Sequence, residues 1–405
     1  MYRLHNTIQR YDWGSTTLLP RLLGIPPDGT PQAELWMGAH PAAPSHVQLA
    51  DRRVSLAALL ASDPQRHLGA AVTARFGPQL PFLLKVLAAA RPLSLQLHPD
   101  GDAARAGFAL EEAAGLDAND PARTYRDPNP KPEVLCALDR FEALSGFRAP
   151  PATAELLEAF ALDRPWVELA RRADAGRLCG ALWDLPVAEQ AGLADQVTAA
   201  AAAGGAAAAR FPREAAFVRS AAAHHPHDVG LVVGLCLNRL RLLAGQALYA
   251  PANRLHAYLE GIGVELMANS DNVVRAGLTT KAVNVAELRR LLEVEPVQPR
   301  ALEAETDPVT GEARYRTPAE EFALSRFLLE GDRVAVRSPG PEILLCTDGG
   351  ADLVELPGAG AGAGAGAVAL ALDRGDSVFV PAATAGYRLR GVGTVYRAQV
   401  GFLAA

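Results

Sequence analysis

AGQALYAPANRLHAY at 244–258 and RGDSVFVPAATAGYRL at 374–389 share one pattern: a Gly turn, a short apolar run, a proline, an irregular link and a further strand. Proline lacks the N–H that a strand ladder needs, so each proline marks a strand end. The recurrence predicts two related β units, each a jelly roll or β-sandwich of short strands. Only the first copy follows its proline with a histidine, His256; the second has no comparable side chain near Ala385. Chemistry is therefore expected in the first unit and a structural role in the second.

Around these stretches the texture of the chain alternates. Residues 1–150 are rich in Pro, Gly and short apolar runs such as LPFLLKVL (80–87) and PLSLQLHP (92–99), which predict strands joined by irregular loops. Between 151 and 225 the composition shifts to Ala, Leu, Glu and Arg, and segments such as ATAELLEAFAL and PREAAFVRSAAA space their apolar residues as helices do. Strand texture returns at DVGLVVGLCLNRLRLLAGQALYAPA (228–252) and again from about Ala319 onward. The fold expected is mainly β, two jelly-roll/β-sandwich domains with an α-helical insertion. The first domain is discontinuous (1–150 and 226–300), the insertion is 151–225, and 301–405 forms the second domain. Alternating Ala and Gly at 358–366 lack the G-x-G-x-x-G spacing of a phosphate loop and read as a turn expansion.

Composition narrows the function. The chain has 405 residues, 49% hydrophobic and 21% charged, as expected of two or three folded domains. A net charge of −6 argues against a nucleic-acid partner while leaving room for a local anion pocket. Four scattered cysteines with no CxxC pair fit a reducing cytoplasm and exclude a disulfide framework. The first fifteen residues lack the apolar core of a signal peptide. The Ala-rich stretch 197–209 is shorter than the ~20 residues of a membrane span. A cytoplasmic monomer without a membrane partner is expected.

Four pieces carry the chemistry. In PLSLQLHP, Ser94, Gln96 and His98 share one face of a strand, opposite Leu93, Leu95 and Leu97. This polar row fits a hydrogen-bonded structural element or a set of metal ligands. In NPKPEVL, Pro132 favours an extended chain, so Lys131 and Glu133 lie on the same side. His256 begins a strand after a loop. VELMANSDNVVRAGLTTK (264–281) reads as a polar loop holding Asp271, Arg275 and Lys281. Together Gln96, His98, Glu133 and His256 make an N/O ligand set suited to zinc without a thiolate. Lys85, Lys131, Arg275 and Lys281 supply cations for an anion site or proton transfer. Lys85 stands in an apolar strand, where a lysine rarely serves solvation alone.

These residues lie in QRYDWGS (9–15), AELWMGAHPAAPS (33–45), PFLLKVLAAARPLSLQLHPD (81–100), DPNPKPEVLCAL (127–138) and HAYLEGIGVELMANSDNVVRAGLTTK (256–281). In content and order the five blocks resemble the type I phosphomannose isomerases, zinc-dependent enzymes of cupin fold. The resemblance implies two cupin-type domains, one zinc ion per chain held by Gln96, His98, Glu133 and His256, and a phosphosugar substrate. It also implies Arg275 facing the substrate, with Lys131, Lys85, Lys281 and Ser94 lining the pocket. Trp13 and Gly14 match a W-G pair expected to pack beneath the site. Two departures stand out: Pro130 replaces the aromatic or histidine common before K-P-E, and Pro226-His227-Asp228 replaces P-G-D. His224, His225 and His227 are expected in a loop outside the site.

Such an enzyme moves a proton between C1 and C2 of a phosphosugar through an enediol. Zinc and Arg275 are expected to stabilise the oxyanion, and Lys281 with Ser94 to hold the phosphate. Lys131, then Asp271, is expected as the base. A sugar-binding cupin without catalysis would not need these cations. An iron oxygenase would favour two histidines and one carboxylate, without Gln96. Another phosphosugar isomerase would use nearly the same pocket.

Overall fold

Alternate residues of the Phe82–Ala89 strand serve two different cores. Leu84, Val86 and Ala88 join Val134, Cys136, Val264 and Leu266 against Ile343, Leu345, Phe379 and Tyr396 of the C-terminal unit. Leu87 points the other way, to Leu135, Ala137, Phe141 and Tyr258, and Leu83 packs with Trp36 and Met267. One face of the sheet thus fills the first unit's interior, while the second unit covers its apolar back. Burial on both faces explains why the strand reads as a nearly continuous apolar run. These features come from a computed structural model, which describes residues 1–117, 120, 123–356 and 369–404.

In the first unit the strands run in the order Leu237–Leu242, Phe141–Phe147, His256–Ala268, Phe82–Ala89, Glu34–Met37 and Thr7–Gln9, with further strands paired off this path. His256–Ala268 is long enough to pair with Leu95–Leu97 and Phe141–Phe147 near its start. Further along it pairs with Phe82–Ala89 and Glu133–Ala137. One strand therefore links the segments that carry Gln96, Lys85 and Glu133. Where it bends, Gly261 has φ 132° and its missing Cβ would meet the Arg140 carbonyl at 2.8 Å, a place only glycine fills without strain.

The second sheet contains Glu342–Glu355, Gly386–Gln399 and Ala323–Arg337, with Ser377–Val380 at one side and Tyr2–Arg3 of the N-terminus beyond it. The repeat seen in the sequence holds in register. Glu133 lies opposite Ala250, just before Pro251, and Glu342 lies opposite Val380, just before Pro381. Counting onward, Arg397 occupies in the second unit the place of Glu265 in the first, since they oppose Leu344 and Leu135. Arg397 is 2% exposed and donates to Glu342 at 3.0 Å and to Glu312 at 3.0 Å. Tyr387 donates to Glu342 at 2.8 Å. A guanidinium thus neutralises the carboxylate whose counterpart in the first unit faces two histidines. Arg397→Met should cost about 3–5 kcal/mol of stability, because it leaves the buried Glu342 carboxylate without a cation, whereas Glu312 keeps Arg314 at 2.8 Å. Denaturant unfolding would measure this; bound metal and activity at 25 °C should be unchanged.

The block expected to be helical contains Pro150–Ala159, Arg164–Arg172, Ala175–Asp184, Val187–Ala202, Ala206–Arg210 and Pro212–Ala222. Its core includes Leu95, Leu97, Leu144, Val274 and Leu278, so it supports the strands that bear Gln96 and Arg275 from outside the site.

Three expectations need correction. Within 1–150 the chain also forms helices, among them Leu18–Leu23, Leu56–Ser62, Ala70–Phe76 and Gly101–Ala113. Most span only two turns, too few to show a period, although Ser55 and Asp100 cap two of them. Gly230–Leu235, expected as strand, is a fully buried helix. A continuous apolar run fits either state. Asp228 accepts from the Gly230 N–H at 2.7 Å and starts the turn, and Gly230 packs so closely on Gly277 and Leu278 that a Cβ would meet the Leu278 nitrogen at 2.7 Å. Finally, 264–281 is not one loop: it begins as the end of the His256–Ala268 strand and contains the strand Val274–Gly277. The Ala-Gly turn expansion at 358–366 lies outside the described residues.

Candidate metal centre

His256 and Gln96 lie directly opposite across the ladder, and Gln96 opposes Arg275 on its other side. Ser145 opposes His256. Directly opposed residues share a face, so Ser145, His256, Gln96 and Arg275 form one row across four strands. The loop before His256 is fixed to the neighbouring His98 segment: with φ 66°, Asn253 donates its N–H to the His98 carbonyl at 2.7 Å.

Glu133 enters this face at the start of its strand. His98 Nε2 is 3.1 Å from Glu133 Oε1, and His256 Nε2 is 3.6 Å from Glu133 Oε2. Two ligands of a tetrahedral zinc ion, each about 2.0–2.1 Å from it, lie roughly 3.3 Å apart, so both separations suit a shared ion. The hydrogen bonds agree. His98 Nδ1 meets the Asn272 carbonyl at 2.8 Å and His256 Nδ1 meets the Arg254 carbonyl at 2.9 Å, so both Nδ1 atoms are donors and both Nε2 atoms are free to ligate. His98 Nε2, His256 Nε2 and Glu133 Oε2 are buried without hydrogen-bond partners. Orphaned polar atoms facing one another across a few ångströms are a donor set that fits a cation. Among the described residues, no other His, Cys, Asp and Glu side chains group closely enough to hold one.

Burial pushes the His98 imidazole down to about 4, which keeps it neutral as a ligand must be. Burial opposes charge on Glu133, but the contacts with His98 and Lys131 overcome it and hold the carboxyl well below the usual range. Lys131 Nζ is 3.2 Å from Glu133 Oε1. Gln96 Oε1 accepts from Ser94 Oγ at 3.3 Å, which places the serine beside the row of Gln96 and His256.

Lys85 does not reach outward to solvent. Its Nζ is 3.3 Å from Glu265, 3.5 Å from Glu34 and 5.2 Å from the centre of the Trp36 ring. Burial would discharge it, but Glu34, Glu265 and Glu133 outweigh burial and hold it protonated. Asp271 is half exposed at the rim and lies 3.3 Å from His40. Hydrogen bonding to His40 holds its carboxyl below the usual range. Arg275 is lowered by burial and by Arg126; Lys281 is lowered first by Arg275, then by burial and Arg126. Trp13 packs partly against the Leu87–Leu135 core, and a Cβ on Gly14 would meet the Ala33 nitrogen at 2.6 Å. His224 and His227 contact Arg91 and Asp195, outside the site.

Sequence reading missed His40, Arg126, Glu265 and Asn272. Glu265 carries the signal that singled out Lys85, a charge alternating with apolar residues in a buried strand. Asn272 is a hub: its backbone carbonyl orients His98, while its side chain bonds Arg126, Asp127 and Asn129. Nothing in its residue type announces that.

Comparison with known proteins points to one family. Residues 1–150 match the family model for the catalytic domain of type I phosphomannose isomerase. The chain is 36% identical over 400 residues to the mannose-6-phosphate isomerase of Escherichia coli (strain K12), covering 98% of this chain and 99% of that protein. It superposes with a TM-score of 0.89 and 33% identity on a mutant of phosphomannose isomerase from Salmonella typhimurium, covering 99% of each chain. A zinc-bound holo structure of mannose 6-phosphate isomerase gives 0.88 and 33%, with 98% and 99% covered.

Proposed function

The chain belongs to the type I phosphomannose isomerase family, and on that premise we propose that Gln96, His98, Glu133 and His256 hold one zinc ion per chain for the interconversion of mannose 6-phosphate and fructose 6-phosphate. The observation that carries this reading is the pair of orphaned imidazole nitrogens facing Glu133, each with its other ring nitrogen tied to a carbonyl. Bound zinc supplies a Lewis acid that stabilises negative charge on a sugar oxygen.

The protein's own residues do the rest. Arg275, in the ligand row, faces the substrate and stabilises the enediolate oxygen, a contribution typically worth several kcal/mol. Lys281 and Ser94 hold the phosphate and thereby position C1 and C2. Lys85 lines the pocket floor. Lys131, buried beside Glu133, moves the proton between C2 and C1, with Asp271 as the rival base. The arrangement 1–150 with 226–300, 151–225 and 301–405 divides the labour: catalysis, lateral support and cover for the apolar back. The His98–Glu133–His256 cluster is assembled within a single chain, as a working monomer requires. Four buried free cysteines support a cytoplasmic setting. Among the described residues no helix is long and apolar enough to cross a membrane.

A coupled assay with mannose 6-phosphate and fructose 6-phosphate, before and after chelation, tests the function. Activity should vanish with the metal and return with zinc. Turnover of another phosphosugar in preference to both substrates would favour a different isomerase. For the base, wash-out of deuterium from C2 should fall about 100-fold or more in Lys131→Met and much less in Asp271→Asn. If both variants exchange at the wild-type rate, neither residue is the base.

A further inference from the structure

Arg126, a residue so far without a role, is tied by its backbone to the segment that carries Arg275 and adds a third cation to Arg275 and Lys281 beside the site. Arg126 lies in the segment between the Gly101–Ala113 helix and Glu133, and its side chain is exposed. Its backbone is nevertheless fixed. The Arg126 N–H donates to Asn272 Oδ1 at 2.7 Å, and Asn272 Nδ2 donates to the Asp127 and Asn129 carbonyls at 2.7 and 2.9 Å. The Asp271 N–H donates to Asp127 Oδ2 at 2.8 Å. These bonds tie Arg126 to the stretch that runs from Asp271 to Arg275, and through the Asn272 carbonyl to His98.

The charges around it are unbalanced. Arg126 bears electrostatically on both Arg275 and Lys281, and no carboxylate counters it at either residue. Arg126 also acts on Asp271, which already faces His40, and the adjacent Asp127 carboxylate accepts from the Asp271 N–H. Among the described residues none of the three cations has a carboxylate within ion-pair distance. Like charges gathered this way beside a site repel one another, and an anion bridging them relieves that repulsion. A guanidinium with its planar fork suits a phosphate monoester, which can take two of its N–H groups at once.

We infer that Arg126 is a substrate-binding residue that closes with Lys281 around the phosphate of the sugar phosphate, while Arg275 beside them stays with the reacting carbons. This rests on the phosphosugar reading of the site. A role in binding predicts a split in the kinetics. In the zinc-loaded enzyme, Arg126→Gln should raise KM for mannose 6-phosphate about 10- to 100-fold, the range for one charged hydrogen-bonding group, with kcat within about threefold. Inorganic phosphate, used as a competitive inhibitor, should weaken by a similar factor. Arg126→Lys should recover part of both. Zinc content and thermal midpoint should match the wild type, which separates binding from folding.

An unchanged KM and phosphate inhibition constant would overturn the inference. So would a raised KM with unchanged phosphate inhibition, which would mean that Arg126 acts elsewhere on the sugar, or a loss confined to kcat. An inactive wild type would instead count against the isomerase reading itself, whatever Arg126 does.

Discussion

Glu133→Gln should leave a folded protein that has lost its zinc and about a thousandfold or more of its kcat/KM, or ~4 kcal/mol of transition-state stabilisation. The substitution keeps the shape of the side chain and removes its charge. Glu133 is the one carboxylate in the proposed ligand set, and it faces both imidazoles from a position 2% exposed. Without that charge, two neutral imidazoles and an amide hold a divalent ion poorly. Because the Nδ1 bonds to Asn272 and Arg254 do not involve Glu133, both rings should keep their orientation. Metal analysis after dialysis, circular dichroism and the coupled assay together check this. A variant that keeps stoichiometric zinc and near-normal turnover would contradict it.

The second large effect concerns Lys85. In Lys85→Met the carboxylates of Glu34 and Glu265 lose the charge between them inside the protein, and stability should fall by about 3–5 kcal/mol. Burial already pushes the Glu265 carboxyl up to about 7 against the pull of Lys85, so a neutral amide there is a mild change. The double variant Lys85→Met with Glu265→Gln should therefore recover much of the lost stability. Activity should behave differently. If Lys85 serves substrate on the pocket floor, both variants should remain about 100-fold or more below wild type. Denaturant unfolding and the coupled assay separate the two roles; activity returning in step with stability would reduce Lys85 to a structural ion.

Much of this site could be read from the chain because its residues sit in strands. A period of two made Ser94, Gln96 and His98 visible as a row, and made Lys85 conspicuous among Leu84 and Val86. The paired proline turns announced both β units, and register bears out the repeat down to Glu133 and Glu342. What escaped has physical causes. Gly230–Leu235 is apolar on every side, so no period separates buried helix from buried strand. The short helices after Thr17 and Ser55 complete too few turns to leave a pattern. Arg126 and Asn272 act through loop hydrogen bonds that join positions about 145 residues apart, and such contacts leave no local mark. Arg397 could be suspected from its place in a buried strand, but its partners Glu312 and Glu342 emerge only once the strands are in register.

The most direct test is anomalous diffraction at the zinc edge from crystals of the holoprotein. One strong peak per chain is predicted, about 2.0–2.2 Å from a nitrogen or oxygen of each of Gln96, His98, Glu133 and His256. A peak bound by other side chains, or a cysteine sulfur among the ligands, would contradict the account.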